Sequence, residues 1–441
     1  MKRNYIKFLL LFIAIPALVL CTTRNKEQET DRIVYDSYKG LVLCGYQGWF
    51  TTPTDGANMG WGHYGTRKGL FEPGQCTIDF WPEMDEYEIQ YETPFKLADG
   101  SAATIYSPHD ASSVDLHFKW MKEAGIDGVF MQRFVNNARP SNPNKAHFDK
   151  VFDNAMKAAQ KYNRTVCLMY DLSGLRYRDG EDDISMLLND WKEISEKYGV
   201  YERDKNYDCY LHHNGKPLLA IWGIGFPDRP YPLEVPEKMV KSFKEAGVSL
   251  HLGVPTYWRT LTRDTRPDSL LHDIIRMGDI VHPWTPGRYN NKESYDRYKP
   301  NIAEDIAWCK ENGLDFAAGV FPGFSWYNNA IEEFPGRNNP LDATPRREGR
   351  FLWMQLEGAV NSGAEMIYVC MFDEIDEGTA IFKLTSNPPA GESPFVARES
   401  TVPSDHYMWL CGRAGDALKK KTGLPVEMPR KNLSNSSGGA N

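Results

Sequence analysis

The sequence has 441 residues, a formal net charge of −8 and 41% hydrophobic residues. This composition supports a buried core and excludes a wholly disordered chain. The acidic balance argues against a nucleic-acid partner, because phosphate binding requires a basic surface and none stands out in the sequence.

The first 21 residues have the pattern of an exported lipoprotein signal. Lys2 and Arg3 precede an apolar run, Phe8 to Leu20, that is too short to span a bilayer comfortably. Cys21 closes the run and resembles the cysteine to which bacterial lipoproteins attach lipid. The stretch from Thr22 to Asp31 is polar and charged, and residues 22–35 are predicted to form a flexible tether. We therefore expect an outer-membrane or cell-surface lipoprotein that contacts the membrane only through its lipid anchor, with a periplasmic location as the alternative.

Eight short apolar segments follow, and they predict eight strands. Most are apolar throughout, as is typical of parallel strands that are buried on both faces. The predicted strands are Gly40–Gly45, Gly128–Gln132, Thr165–Tyr170, Pro217–Trp222, Leu250–Val254, Asp279–His282, Phe316–Phe321 and Met366–Phe372.

Eight amphipathic segments alternate with these strands and predict eight helices. They are Ser113–Ala124, Phe148–Tyr162, Ile184–Tyr198, Pro236–Ala246, Ser269–Met277, Ala303–Asn312, Arg347–Asn361 and Asp405–Lys420. Strict alternation of eight strands and eight helices predicts a single α/β domain, a (β/α)8 TIM barrel, over residues 36–422. The long connection from Phe50 to Ser112 has room for a hairpin or extra strands over the barrel mouth. Residues 423–441 are expected to form a disordered tail, and we expect a monomer.

The residues that follow the strands are candidates for a functional site, because active sites of such barrels form at the carboxyl ends of the strands. Aromatic rings recur there, and such rings pack flat on the C–H face of a sugar. One ring alone is more often part of the core, but a cluster of rings at one rim predicts a carbohydrate-binding cleft. The candidate binding residues are Tyr46, Gln47, Trp49, Arg133, Asp171, Trp222, Tyr257, Trp258, Trp284, Trp326 and Asp373.

Four acidic residues lie within five positions directly after the eighth predicted strand. Cleavage of a glycosidic bond requires one protonated and one ionised carboxyl group, and acids clustered at the mouth of a buried strand can supply such a pair. A solvated acidic loop and a calcium site are the alternatives, although the spacing is not that of an EF-hand. The absence of a CxxC pair argues against a zinc site, and we expect neither a metal nor an organic cofactor.

The segment from Asp373 to Thr379 resembles the Asn-Glu-Trp-His-Glu-Gly-Thr motif of glycoside hydrolase family 99, the endo-α-mannosidases, and the whole chain looks closest to the 71/99-like group. Tyr46 and Trp49 echo that family's first strand end. The resemblance implies that Glu377 is the general acid/base and that Glu374 acts at the sugar 2-hydroxyl. Because Ile375 and Asp376 replace Trp-His, mannose is not assumed as the substrate. A family-71-type α-glucanase and a non-catalytic glycan-binding lipoprotein are the rival interpretations, and the latter needs the rings but not the two glutamates.

Overall fold

A computed structural model describes Met1, residues 33–176, residues 183–334, Gly336 and residues 339–431. The predicted signal peptide with Cys21, most of the predicted tether, and residues 432–441 of the predicted tail lie outside the described residues. Among the helices that are described, none is long and apolar enough to cross a membrane.

Eight of the described strands form a closed parallel barrel. The strands are β1 (Val42–Tyr46), β2 (Tyr91–Lys96), β3 (Ala102–Ile105), β4 (Gly128–Phe134), β5 (Thr165–Asp171), β6 (His212–His213), β7 (Lys216–Trp222), β8 (Ser249–Pro255), β9 (Ile280–Trp284), β10 (Asp315–Val320) and β11 (Met366–Val369). Around the barrel the order is β5, β4, β1, β11, β10, β9, β8 and β7, and β7 pairs back with β5. Each of the eight predicted segments forms one of these barrel strands, so the predicted (β/α)8 barrel is confirmed.

Helices separate the barrel strands and cover them from outside. They are α1 (Ala111–Ala124), α2 (Val135–Ala138), α3 (Lys145–Tyr162), α4 (Asp183–Lys197), α5 (Glu234–Glu245), α6 (Leu270–Arg276), α7 (Lys292–Tyr298), α8 (Pro300–Glu311), α9 (Asn328–Glu333), α10 (Arg350–Asn361) and α11 (His406–Lys420). All eight predicted helices are present. The short helices α2, α7 and α9 lie in connections where the periodicity of the sequence is too brief to predict a helix.

Helix α1 shows how local sequence and packing agree. Its apolar residues Val114, Phe118 and Met121 recur at helical spacing and are fully buried. The helix ends at Gly125, whose φ of 82° is the left-handed conformation that glycine adopts readily. The helix begins at Ala111, two residues earlier than predicted.

Two long connections lie over the carboxyl ends of the barrel strands. Residues 47–110 link β1 to α1 and contain the antiparallel hairpin β2–β3, so a hairpin occupies the region that has room for a hairpin or extra strands. Isolated bridges join Phe80 to Val396 and Pro82 to Leu384, so this connection pairs with the segment that follows β11. The barrel therefore presents its strand ends beneath elaborated loops.

Candidate active site

The segment after β11 is held on several sides by backbone hydrogen bonds. The Phe372 amide donates to the Gly45 carbonyl at 2.7 Å, and the Ser325 amide donates to the Glu377 carbonyl at 3.0 Å. Beneath the segment, Nη2 of the buried Arg346 donates to the carbonyls of Gly378 and Ala380 at 2.9 and 2.7 Å. These contacts fix the backbone that carries the two predicted catalytic glutamates.

Gly378 is required in this segment by its conformation and by the space around it. Its φ is 66°, and a Cβ at this position would meet the Phe80 ring and the Ser325 amide nitrogen at 2.8 Å. Any side chain would therefore push the segment away from the loop after β10, together with the carboxyl group of Glu377.

The two glutamates line the same cavity, and the pKa of each carboxyl group is raised. Their mutual repulsion disfavours ionisation of both groups at once, so that one can stay protonated while the other is ionised. Glu374 is 4% exposed and accepts a hydrogen bond from Oγ1 of Thr379 at 3.2 Å. Burial raises the pKa of Glu374 well above its ordinary value, and the charges of Glu377 and Asp376 raise it further. Burial also raises the pKa of Glu377 to about 8, with smaller contributions from Asp376 and Glu333. Carboxyl groups of this kind can hold and transfer a proton near neutral pH.

The cavity has a volume of about 430 Å³ and opens at the barrel mouth. Seven of the predicted site residues line it, and they come from β1, β5, β7, β9 and β11 or from the residues that follow these strands. They are Gln47, Trp49, Asp171, Trp222, Trp284, Glu374 and Glu377. Volumes of this order are typical of small-molecule sites in proteins.

Aromatic side chains form two walls of the cavity. On one side Trp49 lies between His63, at a ring distance of 3.8 Å and 3° from parallel, and Phe134, at 5.7 Å and 25°. With these two rings stacked on it, Trp49 is only 8% exposed. Trp222 and Trp284 meet edge to face at 5.2 Å on another wall, and both remain partly exposed. These two rings are therefore the better platforms for a sugar.

A polar pair on neighbouring strands also lines the cavity. Nε2 of Gln132 donates to Oδ2 of Asp171 at 2.5 Å, and the Ser173 amide donates to Oδ1 of the same carboxylate at 2.7 Å. Burial raises the pKa of Asp171. Oε1 of Gln132 and Oε1 of Gln47 are buried without a hydrogen-bond partner among the described residues, which makes them acceptors open to a ligand hydroxyl.

The prediction that Arg133 faces the cleft is wrong. Gln132 and Arg133 are neighbours on β4, and successive side chains of a strand point to opposite faces. Arg133 therefore points to the helices, where its Nε and Nη2 donate to Asp190 at 2.8 and 2.6 Å and Nη2 also donates to Asp149 at 2.8 Å. The alternation requires that only one of these two neighbours face the cavity, and that residue is Gln132.

Asp373 and Tyr46 also lie away from the cavity and support the site from outside. The Asp373 carboxylate accepts hydrogen bonds from the amides of Gln47 and Gly48 at 2.8 and 2.9 Å, so it joins the end of β1 to the segment after β11. Burial raises the pKa of Asp373 to about 7. The hydroxyl of Tyr46 lies 2.8 Å from Nδ1 of His117 on α1, and Tyr46 is fully buried. The expected contact of these two residues with substrate is therefore wrong.

Three further predicted rings do not line the cavity. Trp258 is fully buried and packs edge to face on Trp308 at 4.9 Å, in the outer layer. The hydroxyl of Tyr257 accepts a hydrogen bond from Arg263 at 2.6 Å. Trp326 packs against Phe334 at 5.8 Å. The predictions for these residues came from their position after a strand, and this position does not specify which way a side chain in a loop turns.

Sequence reasoning missed several residues that line the cavity. His63, Thr66, Arg67 and Thr77 come from the long connection after β1, Phe134 follows Gln132 on the inward face of β4, and Asn329, Glu332 and Glu333 come from α9. Nδ1 of His63 lies 3.3 Å from Oδ2 of Asp376. No local pattern marks His63, because its contacts in the cavity are made with residues distant in sequence.

Comparison with known proteins gives first a class of fold and then a family likeness. No family model matches the sequence. Two solved structures of the GH99 endo-α-mannosidase from Bacteroides thetaiotaomicron, one of them in complex with bis-tris propane, superpose with TM-scores of 0.61 and 0.60 over 87% of this chain. They share 15% and 16% sequence identity with it and are covered over 99% and 98% of their length, which shows a common barrel fold.

Curated sequences point to the same family. The glycoprotein endo-α-1,2-mannosidases of Mus musculus and Rattus norvegicus are 22% and 23% identical to this chain over 294 and 282 residues. The match covers 63% of this chain and 55% of each relative, so it spans about half the length of the curated relatives. The resemblance to family 99 that the motif after the eighth strand predicted is thereby confirmed.

Proposed function

We propose that the protein is a glycoside hydrolase of the family-99-like type that cleaves a polysaccharide or glycan through Glu374 and Glu377. The observation that carries this proposal is the pair itself: two glutamates with raised pKa values line one cavity at the carboxyl end of a barrel. The likeness to endo-α-mannosidases supports the reaction class. Trp222 and Trp284 supply exposed rings for a carbohydrate substrate, and the reaction needs no cofactor.

Glu377 acts as the general acid and then as the general base. With a pKa of about 8 it holds its proton at neutral pH and donates it to the glycosidic oxygen as the bond to the anomeric carbon breaks. The resulting carboxylate then removes a proton from the incoming water. One residue thus serves both steps and returns to its starting state.

Glu374 has two possible roles, and they are experimentally distinct. In the role that the family resemblance implies, Glu374 takes the proton from the sugar 2-hydroxyl, and that oxygen displaces the leaving group to form a 1,2-anhydro sugar. Water opens this ring, and Glu374 returns the proton to the 2-oxygen. In the alternative role Glu374 attacks the anomeric carbon and forms a glycosyl ester, as in ordinary retaining enzymes.

The experiment is digestion of a polysaccharide and N-glycan panel with product analysis by mass spectrometry, using wild type, Glu374→Gln and Glu377→Gln. Loss of the acid should reduce the rate by about 10²–10⁴ on natural substrates and by less on glycosyl fluorides, from which fluoride leaves without a proton. The sizes of the products give the linkage and the endo or exo mode, and α-glucan products would favour the family-71-type reaction.

Further probes separate the two roles of Glu374. By the 2-hydroxyl route, Glu374→Gln stays inactive on activated substrates, azide does not rescue it, and a 2-deoxy substrate does not turn over. A covalent glycosyl adduct on Glu374 would establish the nucleophile route instead. Near wild-type rates for both Gln variants would refute the assignment of these two residues, with Asp171 as the next candidate because Asp373 does not line the cavity. Glycan binding without turnover would favour the non-catalytic surface protein.

A further inference from the structure

His63 and Asp376 come from different connections and meet on the cavity wall. His63 lies in the long connection after β1, and Asp376 lies between the two glutamates of the segment after β11. Nδ1 of His63 is 3.3 Å from Oδ2 of Asp376. The pair spans 313 residues of sequence and closes one side of the cavity in which Glu374 and Glu377 lie.

The imidazole of His63 is held in place by contacts on its backbone and on its ring. Its carbonyl accepts a hydrogen bond from Oγ1 of Thr77 at 2.8 Å, and the neighbouring Gly62 amide donates to Oγ1 of Thr51 at 3.0 Å. The ring lies flat on Trp49 at 3.8 Å. The backbone of His63 has a φ of 55°, a left-handed conformation that residues other than glycine adopt uncommonly. The surrounding structure therefore overrides the local backbone preference to place this ring beside Asp376.

Asp376 is buried and only partly satisfied. It is 3% exposed, and its Oδ1 has no hydrogen-bond partner within the described part of the chain. His63 is thus the neighbour that supplies a donor to this carboxylate. A buried carboxylate is retained in the charged state only when a hydrogen-bond donor or a positive charge stabilises it.

We propose that His63 and Asp376 form a positioning pair, in which His63 keeps the Asp376 carboxylate oriented close to Glu374 and Glu377. The acidic groups whose charge raises the pKa values of the two glutamates are Asp376 and Asp373 on the same segment and Glu333 on α9. Asp171 and Glu332 also line the cavity. Arg67, which lines the same cavity, is engaged by Glu333 at 3.7 Å. Asp376 is therefore a source of negative charge near both glutamates, and His63 determines the orientation of its carboxylate.

The consequence for catalysis rests on the proposed function of Glu377. A fixed negative charge opposes ionisation of a nearby carboxyl group, so Asp376 helps Glu377 to keep its proton at neutral pH. If the imidazole did not orient Asp376, the carboxylate would turn toward solvent, and its charge would be screened.

The test is a carbon-13 NMR titration of glutamate carboxyl groups without substrate, with the Glu377 signal assigned by its loss in Glu377→Gln. Asp376→Asn should lower the midpoint of Glu377 by about one to two pH units, and Asp376→Glu should keep it near the wild-type value. His63→Ala should lower the midpoint by part of that amount, and His63→Gln, which keeps a donor, should restore it. The double variant His63→Ala/Asp376→Asn should match Asp376→Asn alone.

The controls are His272→Ala and Asp296→Asn, which lie on the outer helices α6 and α7 and should leave the midpoint unchanged. The proposed pair would be overturned if Asp376→Asn left the Glu377 midpoint unchanged. It would also be overturned if the shifts of the two single variants added up in the double variant. Once a hydrolysed glycan is known, the alkaline limb of kcat/KM should move with the NMR midpoint. Because the titration needs no turnover, a protein that cleaves no glycan would refute the proposed function and leave the test of the pair intact.

Discussion

The raised pKa of Glu377 supports its proposed function but lowers the free energy of unfolding at high pH. Its pKa in the folded protein is about 8 against an ordinary value of 4.5. Below pH 4.5 the group is protonated in both folded and unfolded chains, so burial of the group then carries no ionisation penalty. As the pH rises toward 8, only the unfolded chain ionises readily, and the free energy of unfolding falls.

Glu377→Gln should therefore stabilise the protein at pH 8.5 and leave it unchanged at pH 4. We expect a gain of about 1–3 kcal/mol in the free energy of unfolding at the higher pH, since the amide carries no charge to bury. Urea denaturation at both pH values measures this. Glu245→Gln, at an exposed position on α5, is the control and should change neither value. Equal stabilisation at pH 4 and pH 8.5 would contradict the explanation by ionisation.

Trp284 tests the aromatic wall at the level of one ring. Trp284→Ala should raise KM by about tenfold and change kcat less, because a stacking face binds ground state and transition state alike. Trp308→Ala, in the outer layer beside Trp258, is the matched control and should leave KM unchanged. A fall in kcat with an unchanged KM would show that Trp284 acts on the transition state instead.

At the scale of the elements, side chains along β4 alternate between the cavity and the surrounding helices. Gln132 points into the cavity, and Arg133 joins β4 to α4 through Asp190 and to α3 through Asp149. Both the Arg133 and the Asp190 side chains are almost fully buried, at 3% and 2% exposure. A buried ion pair of this kind contributes little net stability. Loss of one partner is strongly destabilising, because it leaves the other charge buried and unpaired.

Arg133→Ala should destabilise the protein by about 3–5 kcal/mol, because Asp190 would remain as a buried charge without its guanidinium. The activity of the remaining folded protein should keep its wild-type KM, since the side chain does not line the cavity. Thermal denaturation and steady-state kinetics below the melting temperature measure the two effects. Asp149→Asn is the control, with a small effect expected because Asp149 is 40% exposed. A rise in KM without a loss of stability would instead support the predicted role of Arg133 in substrate binding.

At the scale of the whole molecule, the proposed lipid anchor determines where the barrel works. We propose that Cys21 carries lipid and that the barrel is displayed at the outer membrane or cell surface. Wild-type protein should then partition into the detergent phase of a Triton X-114 separation, and Cys21→Ser should move to the aqueous phase. Cys76→Ser, at a buried cysteine of the barrel unit, is the control and should keep the wild-type partition. Wild-type protein found wholly in the periplasmic fraction would contradict the anchor.

The sequence alone predicted the barrel and placed two glutamates of its cavity, because both depend on local patterns. Strands buried on both faces must be apolar throughout, and amphipathic helices between them must carry an apolar stripe, so alternation of the two is visible residue by residue. Glu374 and Glu377 lie within one short segment directly after the last strand. In a (β/α)8 barrel, the residues that follow a strand lie at the face where active sites form.

Only the tertiary structure decided which side chains complete the cavity. Whether Gln132 or Arg133 faces inward depends on the registration of β4 within the closed barrel. The burial of Trp49 depends on the ring of Phe134 from β4 and on the ring of His63, which the same connection folds back onto it. His63 reaches Asp376 across 313 residues, and the contact exists because the connection after β1 folds back over the strand ends. Contacts at such a separation leave no periodicity in the sequence, because they are set by packing between elements and not by the spacing of residues within one.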